Sequence, residues 1–260
     1  MLRHVTSPDG VRIACEVSGE GPPVVFVHGA GSARWSFEPV RPLLEGSFTV
    51  IAIDRRGRGD SSDGDDYRVE NEFEDVAGVV RDAGEAALLV GHSYGALIAA
   101  GAAQLIDGLP RLVLYEAPMG GSLADRATID GWETLIRDGH RDIMVREFLL
   151  HVGGYSEEEI DQLARSPVWE RRKAVSPTAP RELRAELAFR LDPAALGTVA
   201  APTLMLLGSE SPDWARRSTE AYSQVLPNAE VRILEGYGHG ATTSAPELVA
   251  AEIERFLGPK

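Results

Sequence analysis

Residues 87–96 read Ala87-Leu88-Leu89-Val90-Gly91-His92-Ser93-Tyr94-Gly95-Ala96, and the choice of fold rests on them. An apolar run of strand length meets Gly-x-Ser-x-Gly, and small residues follow toward Ile106. Strand, sharp turn and helix form the context that gives this pattern a physical meaning. Such a turn forces its middle residue, Ser93, into a strained backbone conformation. Glycines at 91 and 95 remove Cβ atoms where the chain nearly touches itself. The serine oxygen is presented at the carboxyl end of the strand, and the helix aims its free amides and positive dipole end at the same point. An ordinary glycine-rich turn is the competing reading, and the flanking strand and helix weigh against it.

Outward from this turn the chain alternates between two patterns. Residues 23–27, 48–53, 86–90, 111–115, 203–207 and 231–234 are short apolar runs of strand type. Residues 35–44, 70–83, 94–106, 214–226 and 246–257 read as helices; Phe73, Val76, Ala77 and Val80 share one helix face. Residues 2–6 and 11–17 alternate around Pro8-Asp9-Gly10, a hairpin signal. Apolar strands alternating with helices predict an α/β fold, a mostly parallel sheet covered on both faces. Between 118 and 199 the rhythm changes to helix formers broken by Pro167, Pro177, Pro180 and Pro193. We read residues 1–117 and 200–260 as the core and 118–199 as an inserted helical cap.

The 260 residues suit one domain, large enough to bury a core without staples. Cys15 is the single cysteine, so no intramolecular disulfide is expected, and it reads as apolar filler. No His/Cys/Asp set has metal-ligand spacing, and neither metal nor cofactor is expected. The net charge of −14 and the lack of a basic stripe exclude nucleic acid as a natural partner. The N-terminus lacks the apolar segment of a signal peptide, and no apolar run is long enough to span a bilayer. The expectation is a cytoplasmic protein, monomer or homodimer, acting on a small molecule away from membranes.

Four motifs in order carry a resemblance: His28-Gly29-Ala30-Gly31, Asp54-Arg55-Arg56-Gly57-Arg58-Gly59-Asp60-Ser61, Gly91-His92-Ser93-Tyr94-Gly95 and Gly236-Tyr237-Gly238-His239. Together they resemble the α/β-hydrolase superfamily across essentially the whole chain. The resemblance implies Ser93 as nucleophile, His239 as general base and then acid, and the main-chain amides of Ala30 and Tyr94 as oxyanion donors. It implies a serine hydrolase cleaving a carboxylic ester or lactone of a small, largely apolar molecule through an acyl-enzyme. His28 is expected to shape its own loop, and His92 to point away from the site.

The acid departs from the common pattern. Most relatives place an aspartate after the strand that is 203–207 here, where this chain has Ser211. Glu210 and Asp213 are neighbouring options. Glu116, at the end of strand 111–115, is similar in placement to the acid of haloalkane dehalogenases and zearalenone-lactone hydrolases. A glutamate ending a buried strand is costly without a partner, which favours Glu116 over the two loop acids. Serine at the elbow argues against dehalogenases and epoxide hydrolases, which use aspartate there. Carbon–carbon bond hydrolases, lyases, perhydrolases and small-molecule receptors on the same fold stay open. Trp35, Met119, Trp132 and Trp169, with Tyr94, Phe148 and Tyr155, are the candidate pocket walls.

Overall fold

A computed structural model of the chain describes residues 1–121 and 123–258. Ser122, Pro259 and Lys260, which fall within the expected cap and core spans, lie outside the described residues. The strands are β1 (Leu2–Thr6), β2 (Arg12–Ser18), β3 (Pro23–Val27), β4 (Thr49–Asp54), β5 (Leu88–His92), β6 (Leu112–Tyr115), β7 (Thr203–Gly208) and β8 (Ala229–Leu234). They form one sheet in the order β1-β2-β4-β3-β5-β6-β7-β8. β2 pairs antiparallel with β1 and β4, and every other pairing is parallel. The α/β fold read from the sequence is the one observed.

Helices α1 (Arg41–Leu44), α2 (Val69–Ala83) and α3 (Tyr94–Ala103) precede β6. Between β6 and β7 lie α4 (Arg126–Arg137), α5 (Arg141–His151), α6 (Glu157–Ala164), α7 (Val168–Val175), α8 (Ala179–Ala188) and α9 (Pro193–Leu196). Helices α10 (Asp213–Val225), α11 (Ala241–Ser244) and α12 (Pro246–Leu257) complete the chain. The expected helix over 35–44 is instead a 3-10 turn, Arg34–Phe37, followed by the single turn α1. Pro39 and Pro42 lack the N–H groups that a continuous ladder would need.

Strand side chains alternate between two apolar layers, as a period of two requires. Val25, Val27, Ile51, Ile53 and Leu89 face α2 and α3. Val24, Phe26, Val50, Leu88 and Val90 face the layer of α12. All ten residues of α3 are buried, and seven of them are glycine or alanine. At Gly101 a Cβ would lie 2.3 Å from the Phe73 ring, so glycine lets α2 close on α3. Cys15 is buried in β2, and burial pushes its thiol pKa up to about 11. Among the described residues no helix is long and apolar enough to cross a membrane. The carboxyl ends of β3, β5 and β6 converge, and in open α/β sheets this is the edge that ligands use.

Candidate active site

Ser93 follows β5 and caps α3 with φ 57° and ψ −129°. Glu116 follows β6 with φ 51°. Among the described residues these two are the non-glycines with positive φ. Each such conformation costs on the order of 1–3 kcal/mol and persists only where the surroundings impose it. The surroundings here are sheet hydrogen bonds: Ser93 N–H donates to Tyr115 O at 2.8 Å, and Glu116 N–H to Leu206 O at 3.2 Å. A Cβ on Gly91 would lie 2.5 Å from Gly95 O, and one on Gly95 would lie 2.2 Å from Val27 O. Both flanking positions therefore need glycine.

His239 Nδ1 donates to Glu116 Oε2. The Nδ1–H tautomer leaves the Nε2 lone pair free, as a general base requires. Glu116 Oε1 accepts from Gly208 N–H at 2.8 Å and from the Ser211 hydroxyl. Both carboxylate oxygens of this 1 % exposed residue are thereby satisfied. Glu210 and Asp213 are exposed, and neither is hydrogen-bonded to His239. The structure thus brings Glu116 to the histidine and leaves the two loop acids in solvent. Ser211, at the position where an acid was sought, supports the carboxylate that replaces it.

Two rings pack on His239, one of them the His92 ring expected to point away from the site. His92 stacks at 4.7 Å between ring centroids, and its Nε2–H donates to His239 O at 3.0 Å. Burial, with His239 adjacent, holds the His92 pKa well below the usual histidine value, so the ring is neutral. Trp214 meets His239 edge-on at 5.2 Å and donates Nε1–H to Val152 O at 3.1 Å. The contact of His92 comes from its place in β5 beside Tyr115, a register that no local pattern shows.

Loop 28–31 lies against Ser93. A Cβ on Gly29 would sit 2.9 Å from Ser93 Cβ. His28 accepts Arg55 N–H at Nε2 (3.1 Å) and donates Nδ1–H to Gly29 O (2.9 Å), a neutral ring that fixes the loop. Burial and then the charges of Arg55 and Arg58 hold its pKa well below the usual value. Ala30 lines the cavity beside Ser93, and Tyr94, as first residue of α3, has an amide with no helix acceptor. Beneath the loop lies a buried charge cluster. Arg55 donates to both oxygens of Glu72 at 2.7 Å and to Glu182 Oε1 at 2.6 Å, and Arg58 pairs with Glu182 as well. Glu182, from α8, also accepts Gly31 N–H at 3.2 Å.

A cavity of about 50 Å³ joins Ser93, His239 and Ala30 with Phe148, Leu149 and Val152. A second of about 320 Å³ adjoins it and shares Gly153, Tyr155, His239 and Thr243. Of the expected walls, Phe148 and Tyr155 line the first cavity, but Trp35, Met119, Trp132 and Trp169 do not. Trp132 donates its N–H to Glu147 and Trp169 to Asp142, which ties both indoles into the helical insertion. Trp35 lies under Arg171 and Arg172, and Met119 packs on the core. The Tyr94 ring is buried under Arg55.

A model described as the alpha/beta hydrolase family matches residues 24–252. The chain is 29% identical over 250 residues to a 2-(acetamidomethylene)succinate hydrolase of Mesorhizobium japonicum, covering 92% of this chain and 89% of that one. A crystal structure of an alpha/beta hydrolase from Sphaerobacter thermophilus superimposes with a TM-score of 0.83 at 34% identity, over 98% of this chain and 99% of that one. A thermophilic esterase from Thermogutta terrifontis gives 0.72 at 25%, over 99% and 98%. The protein belongs to the alpha/beta hydrolase family.

Proposed function

We propose that this hydrolase cleaves a carboxylic ester or lactone of a small molecule through an acyl-enzyme on Ser93. The observation that carries the reading is the His239–Glu116 pair opening on the same cavity as the strained Ser93. In the proposed reaction His239 Nε2 takes the Ser93 hydroxyl proton as Oγ bonds to the substrate carbonyl carbon. Negative charge gathers on the carbonyl oxygen and meets the amides of Ala30 and Tyr94. As the C–O bond to the leaving group breaks, His239 returns the proton to the departing alkoxide. Water then loses a proton to His239 and attacks the acyl carbon, which frees the acid and restores Ser93. Glu116 keeps the imidazole in the Nδ1–H tautomer and stabilises its cation during both steps. Apolar walls from Phe148, Leu149 and Val152 would receive the substrate's carbon skeleton, with the adjoining larger cavity for the rest of the molecule.

The Mesorhizobium japonicum relative favours a second reading, hydrolysis of a compound like the acetamidomethylene succinate in its name. A panel of p-nitrophenyl esters, lactones and acetamido compounds separates the two. Fluorophosphonate is expected to label wild type and not Ser93→Ala, with ester turnover lost in that variant. Labelling without turnover of any ester or lactone would favour the second reading, and tight ligand binding without turnover a receptor.

A further inference from the structure

Helix α7 carries Arg171 and Arg172, whose guanidinium groups lie 5.2 and 5.4 Å from the centroid of the Trp35 ring. Their fates differ. Arg171 is held by both oxygens of Glu38, at 2.7 and 2.6 Å. Arg172 has no carboxylate: among the described residues its side chain makes no ion pair or hydrogen bond, and its Nε is buried without a partner. The Ser36 hydroxyl is buried without a partner as well. Both residues line the small cavity that holds Ser93 and His239, and no Asp or Glu lines that cavity. The face of Trp35 supports the guanidinium plane but offers its N–H groups no acceptor in the plane.

Burial lowers the Arg172 pKa, yet a guanidinium stays protonated at any working pH. Arg172 is half-buried with its Nε cut off from solvent and the Ser36 hydroxyl is buried; both are donors, and both are costly unless an acceptor arrives. The fork of an arginine matches the two oxygens of a carboxylate. A small cavity and a net charge of −14 favour one planar monoanionic group over a polyanion.

We propose that Arg172 and Ser36 bind a carboxylate of the substrate, so that the preferred substrates are esters whose non-reacting end is a carboxylic acid. This rests on acyl transfer at Ser93 as set out above. It makes Arg172 a specificity-determining residue, with apolar walls taking the chain between the ester and the acid.

The test uses two pairs of esters that differ only in a carboxylate. One is 4-nitrophenyl butyrate against mono-4-nitrophenyl glutarate, with the acid in the acyl half. The other is phenyl butyrate against 4-carboxyphenyl butyrate, with the acid in the leaving group. Wild type is expected to favour the anionic member of one pair in kcat/KM. In Arg172→Gln the anionic-to-neutral ratio should fall about tenfold or more, chiefly through KM, because a charge-assisted hydrogen bond is lost. Arg172→Lys should keep part of the ratio, and Ser36→Ala should lower it several-fold. A ratio of one or less in wild type for both pairs, or one unchanged in Arg172→Gln, overturns the proposal; a merely structural role would lower both members equally. If no ester is turned over and Ser93 is not labelled, the hydrolytic reading fails separately. Calorimetry with glutarate on Ser93→Ala still decides the subsite: binding lost in Ser93→Ala/Arg172→Gln supports it, and no binding, or equal binding, overturns it.

Discussion

Two buried polar clusters flank loop 28–31, and they are built on opposite principles. Beneath the loop, Arg55 and Arg58 face Glu72 and Glu182, two cations against two anions. Spare Arg55 donors go to His28 O and Gly29 O, and Glu182 takes the Gly31 amide. Apart from Arg58 Nε, which is buried without a partner, that cluster is closed on itself and on the loop. Above the loop, the cavity of Ser93 and His239 is open: Ser36 Oγ and Arg172 Nε are buried on residues that line it and have no partner. Open donors are affordable only where a ligand will meet them, and they are useful only if they do not move. The closed cluster supplies the rigidity that the open one needs, and it ties α8 of the insertion to the catalytic loop.

The comparison breaks most sharply at Glu116. Glu116→Gln is nearly isosteric and can keep the bonds from Gly208 and Ser211 at its remaining oxygen. Its amide would meet His239 Nδ1 as a donor and drive the ring to the Nε2–H tautomer, which cannot accept the serine proton. We expect kcat to fall by roughly 10³–10⁴-fold with the melting temperature within a few degrees of wild type. Glu210→Gln and Asp213→Asn, both at exposed positions, should stay within about twofold. Steady-state kinetics of the three variants with calorimetric melting would reassign the acid if Glu210→Gln shared the loss.

The closed cluster should fail in the other currency, stability. Glu182→Ala leaves two buried cations, Arg55 and Arg58, against the single carboxylate of Glu72, in a site with 0 % exposure at Glu182. Removing one partner of a buried ion pair typically costs about 3–5 kcal/mol. Urea unfolding at neutral pH should show a loss of this size, and a loss under about 1 kcal/mol would mean that water reaches the cluster.

These contrasts also mark what the sequence could reveal. The serine turn and its supporting acid were legible, because local rules dictate them. Gly-x-Ser-x-Gly needs its strand and helix, and a buried strand-end glutamate needs a cation or donors, which is why Glu116 outranked Glu210 and Asp213. The parallel sheet followed from the apolar runs, with β5 offset by two residues because His92 still pairs with Tyr115. The walls were not legible. Trp132 and Trp169 look like pocket aromatics in sequence, but their indole N–H groups have carboxylate partners on α5. Arg172 looks like part of the charged run Trp169-Glu170-Arg171-Arg172-Lys173. Only the tertiary structure separates it from Arg171, which Glu38 takes while Arg172 is left on the cavity.

Two neutral histidines, one in each region, predict the acid side of the stability profile. His28 and His92 both have folded pKa values held well below 6.5 by burial. As pH falls below 6.5 the unfolded chain binds protons that the folded chain refuses, so stability drops with falling pH. The slope is about 1.4 kcal/mol per pH unit for each histidine. Glu72 acts lower down: burial opposes its charge, but Arg55 and Arg58 bring its pKa to about 2 from 4.5, and its contribution is lost as pH falls through that window. Urea midpoints between pH 7 and 5 should fall in wild type and fall less steeply in His92→Gln. An equal slope in the variant would show that His92 takes up a proton in the folded state.

The smallest effect sharpens the boundary between closed and open. Ser211→Ala removes one of two donors to Glu116 Oε1 and leaves the Gly208 amide in place. One hydrogen bond is worth on the order of 1 kcal/mol net, so kcat/KM should fall by about fivefold, far less than in Glu116→Gln. Glu116→Ala/Ser211→Asp then asks whether the acid can return to the usual strand end. Ser211→Asp alone places two carboxylates against each other and should be the worse enzyme. The double variant removes that repulsion, and activity above that of either Glu116→Ala or Ser211→Asp would show that His239 can be oriented from β7 as well as from β6. If the double variant is no better than Glu116→Ala, a carboxylate at 211 does not orient His239 and the acid has to come from the end of β6.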